Sequence, residues 1–189
     1  MKVLSEVSIA ILTGGKSTRF GSNKLLFELE GKKLINRVYD KVREFSDDVF
    51  LQGSSIDGLA HREDLVSDKS SLGGIYSALK NSKHEKIIIV AGDLPHIDTR
   101  MMHLLLQNQE FDAVVPRWRS GHREPLCALY SKKLILIIEK MLLADDLRIS
   151  HVFEKARRVK WIDIDGLIES GELSKECFKN FNLPEDASG

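Results

Sequence analysis

A doubly wound α/β fold, with a mostly parallel sheet and helices on both faces, is what this 189-residue sequence predicts. Three observations carry that expectation. Short apolar segments alternate along the chain with longer amphipathic ones. One short segment, KIIIVA, holds four β-branched residues in succession without polar alternation, as strands buried on both faces do. Glycine-containing turns follow the two most apolar strands, in VSIAILTGG and KIIIVAGD, at the strand ends where such sheets carry ligands.

The elements follow in order. VSIAILT (7–13) reads as the first buried strand. KKLINRVYDKVREF (32–45) places Leu34, Ile35, Val38, Val42 and Phe45 at three- and four-residue steps, an amphipathic helix. DDVFLQG (47–53) is a second strand, and EDLVSD (63–68) a very short third. LGGIYSALKN (72–81) is helical, with Ile75, Ala78 and Leu79 on one side. After the KIIIVA strand, DTRMMHLLLQNQ (98–109) is a helix capped by Asp98 or Thr99. FDAVVPRW (111–118) and PLCALY (125–130) are strands, and SKKLILIIEKMLL (131–143) is a long helix. A helix around SHVFEKA (150–156), the strand VKWIDI (159–164) and a polar tail complete the chain. No repeat or linker interrupts this pattern, so the length fits a single domain over 1–189.

Composition excludes several classes. Lys plus Arg and Asp plus Glu both number 28, so no bulk charge points to nucleic acid or to a membrane surface. No apolar run approaches the ~20 residues of a spanning helix. Met1 and Lys2 lead into mixed polar residues rather than a signal-peptide core. Cys127 and Cys177 lack metal or redox spacing and are read as ordinary thiols, in keeping with a cytoplasmic location. The six histidines (61, 84, 96, 103, 122 and 151) form no metal motif.

The chemistry concentrates in AILTGGKSTRFGSNK (10–24). Gly15-Lys16-Ser17 resembles the end of a phosphate-binding P-loop, but Ala10 stands where that motif needs its first glycine. Ile11 and Leu12 would fall inside the loop while still belonging to the strand. The dinucleotide fingerprint fails too, because Gly14 and Gly15 are adjacent and no third glycine follows at the required step. What remains is a glycine turn that lets a ligand approach the backbone, with Lys16, Arg19 and Lys24 close by in sequence. Backbone N–H groups and cations together suit a polyphosphate; a solvated turn is the alternative. Asp93 follows the KIIIVA strand directly and suits Mg²⁺, a hard ion that shares its coordination with phosphates; capping the next turn is the other reading. Asp68 is a weaker second carboxylate, equally suited to a cap. The loop WRSGHREP carries Arg117, Arg119, His122 and Arg123, either an exposed basic loop or a grip for an anionic substrate.

These pieces together resemble the molybdenum cofactor guanylyltransferases, within the nucleotidyltransferases of Rossmann-like α/β fold. Leu12 to Lys24 is similar to that family's L-x-G-G-x-x-x-R-M-G-x-D-K signature, and Gly92-Asp93-Leu94-Pro95 to its C/G-D-x-P segment. HREPLCALY and NFNLPED resemble its basic-x-P-L-x-A-L-Y strand and N-x-N-T-P-E-D tail. The resemblance implies that the Leu12, Thr13, Gly14 and Gly15 backbone holds the nucleotide and reads its base, with Asp68 also in that pocket. It implies that Arg19 and Lys24 neutralise the triphosphate and that Asp93 binds Mg²⁺. Asn180 or Asn182 would serve at the metal or on the molybdopterin side, and Arg123, in the basic loop, is a candidate grip for the anionic acceptor. The implied reaction is transfer of GMP from GTP to the terminal phosphate of molybdopterin, with passing contacts to other proteins of the cofactor pathway.

Departures affect the base pocket most. Gln52-Gly53-Ser54 stands where the family often has Asn, Ser70-Ser71-Leu72-Gly73-Gly74 replaces G-P-L-x-G, Asn23 replaces the Asp before the signature Lys, and Leu183 replaces the tail's Thr. The CTP-using sister branch tends to have Ala-Ala-Gly at positions 13–15 and Gln after the metal Asp. Thr13-Gly14-Gly15 and Leu94 therefore favour GTP. A sugar- or alditol-phosphate nucleotidyltransferase is a further rival. A non-catalytic nucleotide-binding module is another, opposed by the presence of Arg19, Lys24 and Asp93 together.

Overall fold

The computed structural model describes residues 6–14, 24–56, 58–66 and 70–181. The sheet strands are β1 (Val7–Leu12), β4 (Val49–Gln52), β5 (His61–Arg62), β6 (Lys86–Ala91), β7 (Ala113–Arg117), β8 (Cys127–Ser131) and β9 (Val159–Asp163). They form one seven-stranded sheet in the order β5-β4-β1-β6-β8-β7-β9. A separate antiparallel ribbon pairs β2 (Glu28–Leu29) with β3 (Lys32–Lys33). The helices are α1 (Leu34–Val42), α2 (Ser70–Asn81), α3 (Thr99–Leu106), α4 (Ile135–Leu143), α5 (Ile149–Lys155) and α6 (Ile164–Glu169).

β1 lies parallel to β4 on one side and to β6 on the other, and every residue of β1 is buried. Successive side chains enter opposite layers. Val7, Ile9 and Ile11 pack with α1 and α3, through Ile35, Val38 and Met101. Ala10 and Leu12 pack with α2 and α4, through Leu72, Ile75 and Ile138. The continuous apolar run in β6 has the same cause, since Ile88 and Val90 belong to one layer and Ile87 and Ile89 to the other. Each such side chain contributes about 1.5–3 kcal/mol of burial, so the central strands anchor the sheet.

Several features depart from the sequence reading. The short third strand lies at His61–Arg62, just before EDLVSD, where it pairs with Leu51 and Gln52. Polar residues at a sheet edge leave no alternation in the sequence to mark them. Second, β8 is inserted antiparallel between β6 and β7. The link from β7 to β8 is a short hairpin closed by Trp118 N–H to His122 O and Gly121 N–H to Trp118 O. Returning parallel would require a crossover of about a dozen residues or more. α6 is a further helix, absent from the sequence reading. Asp98 supplies the expected cap of α3, accepting from Arg100 N–H at 2.8 Å.

Candidate active site

The carboxyl ends of β1, β4 and β6 lie side by side, Leu12 level with both Gln52 and Ala91. Past Leu12 the chains remain tied. Thr13 N–H donates to Gln52 O at 3.0 Å, and Gly92 N–H donates to Leu12 O at 3.1 Å. The Thr13 hydroxyl also accepts from Ser54 N–H at 2.7 Å, closing the end of β1 against the turn after β4. Thr13 is buried, and the exposed Gly14 follows it at the lip of the crevice.

Gly92 explains how the cation reaches the carboxylate. A Cβ there would stand 3.1 Å from Leu12 O and 3.2 Å from both terminal methyls of Leu25. Its absence lets Leu25 seat against the strand end, which brings the neighbouring Lys24 over the turn. Lys24 Nζ meets Asp93 Oδ2 at 2.5 Å, both side chains about one-fifth exposed. The turn carrying Asp93 is fixed by Leu94 N–H to Ala91 O and by Lys41 Nζ to Pro95 O. Burial holds the Lys41 ammonium below the usual lysine range. Phe181 N–H donates to Asp93 O at 3.0 Å, so the segment after Phe178 also converges on this turn. Asp98 caps α3, so the turn after β6 needs no cap from Asp93.

The structure therefore brings together Leu12, Thr13, Gly14, Lys24 and Asp93 at one strand-end crevice. Asn180 is exposed and stands one residue from the Phe181–Asp93 bond. Gly15, Arg19, Asp68 and Asn182 lie outside the described residues. Arg123 sits at the same end of the sheet but across β8, in the β7–β8 hairpin. Its guanidinium is 5.1 Å from the Trp161 ring centre, beside that of Arg117 at 5.2 Å. Two other residues of the basic loop have partners of their own. Arg119 forks onto Glu169 at 2.5 and 2.8 Å, which holds its guanidinium in the charged form. Trp118 donates to Glu124 at 2.8 Å and packs edge-on against Phe178.

Gln52, which the resemblance sets in the base pocket where the family often has Asn, is a third polar group at this crevice, and its partners are what sequence reasoning missed. Gln52, only 1% exposed, donates to Asp64 Oδ1 at 2.9 Å and accepts from Asn81 Nδ2 at 3.2 Å. A buried amide at the end of the apolar run VFLQ was the available signal, since such a group requires partners. Among the described residues no cluster of three His, Cys, Asp or Glu could hold a metal. Both thiols are buried, Cys177 being pushed up to about 11 by burial. No helix of the described residues is long and apolar enough to cross a membrane.

A mostly parallel sheet with a glycine turn, a lysine and a carboxylate at its strand ends defines a nucleotidyltransferase. The MobA-like NTP transferase domain matches residues 9–159, and the chain belongs to that family. Similar relatives include a molybdenum cofactor guanylyltransferase of Desulfosudis oleivorans, 35% identical over 162 residues, covering 82% of this chain and 80% of that protein. A probable molybdenum cofactor guanylyltransferase of Aquifex aeolicus is 34% identical over 152 residues, covering 77% and 75%. Among solved structures, molybdopterin-guanine dinucleotide biosynthesis protein A of Archaeoglobus fulgidus superposes with a TM-score of 0.80. It is 25% identical, with 96% of this chain and 95% of that one covered.

Proposed function

We propose that this enzyme transfers GMP from GTP to the terminal phosphate of the molybdenum cofactor and releases pyrophosphate, with Mg²⁺. The observation that carries the reading is the Lys24–Asp93 pair beside Gly14, where the ends of β1 and β6 meet. The names of the relatives favour guanylyl transfer over its alternatives.

The donor set fits the ion. Mg²⁺ keeps several waters and takes one or two carboxylates together with substrate phosphates, so Asp93 at the crevice suits it. When bound it would neutralise charge on the phosphates and help align them. The chain's own residues do the rest. Gly14 has no Cβ to keep phosphate from the backbone. Lys24 turns its ammonium from Asp93 to the α-phosphate as charge builds there, joined by Arg19 of the same signature. A terminal phosphate oxygen of the acceptor attacks the α-phosphorus. The bond from that phosphorus to the bridging oxygen breaks, and pyrophosphate departs with the electron pair. The attacking phosphate is already anionic, so no general base is required of the protein. Catalysis is then positioning and charge neutralisation. Asn180 would serve at the metal or the acceptor, and Arg123 would meet the anionic acceptor. The reaction belongs in the cytoplasm, with passing contacts to the proteins that deliver and take the cofactor.

The test is pyrophosphate release and dinucleotide formation from purified chain, molybdenum cofactor and each of GTP, CTP, ATP and UTP, with Mg²⁺ or with chelator. Turnover with GTP and Mg²⁺ is expected. Turnover with CTP alone would transfer the enzyme to the cytidylyl branch, and binding without turnover would make it a nucleotide-binding module.

A further inference from the structure

We propose that a groove at the opposite end of the sheet from Asp93 is a second anion site, and that it takes a polyphosphate. The groove lies where β7 and β9 begin and β8 ends. Its volume is about 470 Å³, within the size range of small-molecule sites. β7 and β9 each run five residues, about 15 Å, from this groove towards the crevice end of the sheet. An occupant here therefore leaves the Lys24–Asp93 crevice free, and the inference does not depend on which nucleotide reacts there.

The charge of the groove differs from that of the chain. Cations and carboxylates balance over the whole sequence, yet Lys-Ala-Arg-Arg-Val-Lys (155–160) holds four cations and no carboxylate. Lys155, Arg157 and Arg158 line the groove from the end of α5 and the turn after it, and Lys133 joins them from the turn between β8 and α4. Two carboxylates, Glu110 and Asp112, line it as well. Asp112 is engaged by the backbone. It accepts from Arg158 N–H at 3.0 Å, while its own N–H donates to Arg158 O at 2.9 Å. This reciprocal pair fixes the turn, and the Arg158 guanidinium rests over Phe111, 4.9 Å from the ring centre. Among the described residues, Lys133, Lys155 and Arg157 form no ion pair, with these carboxylates or with others. Three cations gathered at one groove without counter-charge create a positive potential that a multiply charged anion relieves.

The donors suit phosphate. Arg157 offers a planar fork that matches two oxygens of one phosphate, and Lys133 and Lys155 are point charges for its neighbours. A chain of phosphates spreads its charge over several such groups, which a single small anion cannot do. Leu134 and Ile137 also line the groove and offer apolar surface to the organic part of a nucleotide. Inorganic polyphosphate and nucleotides share the phosphate chemistry, and only the second uses this apolar surface.

Amide NMR of the full chain, titrated at physiological salt with tripolyphosphate, GTP and poly-glutamate in turn, tests the assignment site by site. Tripolyphosphate is expected to move the signals of residues 133–137 and 155–158 along a saturating curve, separately from any movement at Gly14 and Gly92. Lys155→Glu combined with Arg157→Glu changes two exposed side chains, and an unaltered spectrum elsewhere shows that the fold is kept. This pair should weaken binding at the groove by about tenfold or more, as the loss of two exposed charge-assisted contacts implies, and leave the crevice signals as in the wild type. Lys155→Arg combined with Arg157→Lys keeps the charge and should keep the binding. GTP held more tightly than tripolyphosphate at the groove identifies a nucleotide as the occupant, and equal affinities identify inorganic polyphosphate. Shifts confined to the crevice, or groove shifts that survive the double charge reversal, overturn the proposal. A groove that answers to poly-glutamate and not to tripolyphosphate overturns it too, in favour of a docking face for an acidic protein segment.

Discussion

Asp48 precedes β4 at the amino end of the sheet, and Asp93 follows β6 at the carboxyl end; each is paired with a cation. Asp48 is closed in. Ser8 donates to it at 2.5 Å, Arg62 at 2.5 and 3.3 Å, and Lys83 N–H at 2.8 Å, and its side chain is 6% exposed. Arg62 lies flat over Phe50, 3.8 Å from the ring centre. Asp93 has Lys24 as its side-chain donor, in a crevice where one-fifth of each side chain meets solvent. A carboxylate saturated by its own chain serves the fold, whereas one held, among the described residues, by one side-chain ammonium can be shared with a ligand. Arg62 connects the two ends. Its guanidinium serves Asp48, and its carbonyl accepts from Gln52 and Gly53 at the crevice.

The sharpest way to break the comparison is Asp93→Asn. Turnover should fall by about a thousandfold, as when a group stabilising transition-state charge is lost, while the unfolding free energy changes by less than about 1 kcal/mol. Pyrophosphate release and urea denaturation of the same sample measure both. Nucleotide binding should weaken much less than turnover, and an equal loss of the two would make Asp93 a binding group only.

Asp48→Ala is the mirror experiment. It strands a partly buried guanidinium and a buried hydroxyl, so urea unfolding should show about 3 kcal/mol of destabilisation. Turnover per folded molecule should stay near that of the wild type. A large loss of turnover in fully folded variant would mean that the two ends are coupled through Arg62.

The smallest effect is on the acid limb of stability. Burial alone would raise the Asp48 carboxyl, but hydrogen bonds from Arg62, Ser8 and the Lys83 backbone outweigh it and hold it below the usual aspartate range. A folded-state value below the unfolded one stabilises above about pH 4, and the contribution is lost as pH falls through the lowered value. Asp48→Asn should therefore flatten the fall of unfolding free energy below pH 4 relative to the wild type. Parallel curves for the two would show that Asp48 is not depressed in the fold.

Much of the crevice was legible because its signals are local. An apolar run that stops at Thr13-Gly14, and another that stops at Gly92-Asp93, are read from consecutive residues. Parallel strands then deliver both stops to the same edge. Lys24 was legible through its signature, but not its 2.5 Å contact with Asp93, which depends on Leu25 packing against the distant Gly92 at the end of β6. The contacts of Gln52 with Asp64 and Asn81 were not legible, because no periodicity links positions 52, 64 and 81. The short strand at His61–Arg62 escaped for a similar reason, being defined by its pairing with β4 rather than by its composition.

By itself the sequence determined the α/β class, the order of most elements, the two apolar layers and the membership of a nucleotidyltransferase family. Hydrophobic period and chain-local glycines encode these directly. Only the tertiary structure decided that β8 enters antiparallel, that Trp118 and Arg119 are occupied by Glu124 and Glu169, and that Asp48 closes one end of the sheet while Asp93 leaves the other open. Direction, partner and saturation are properties of residues far apart in the chain, and only packing chooses among the partners that a sequence allows.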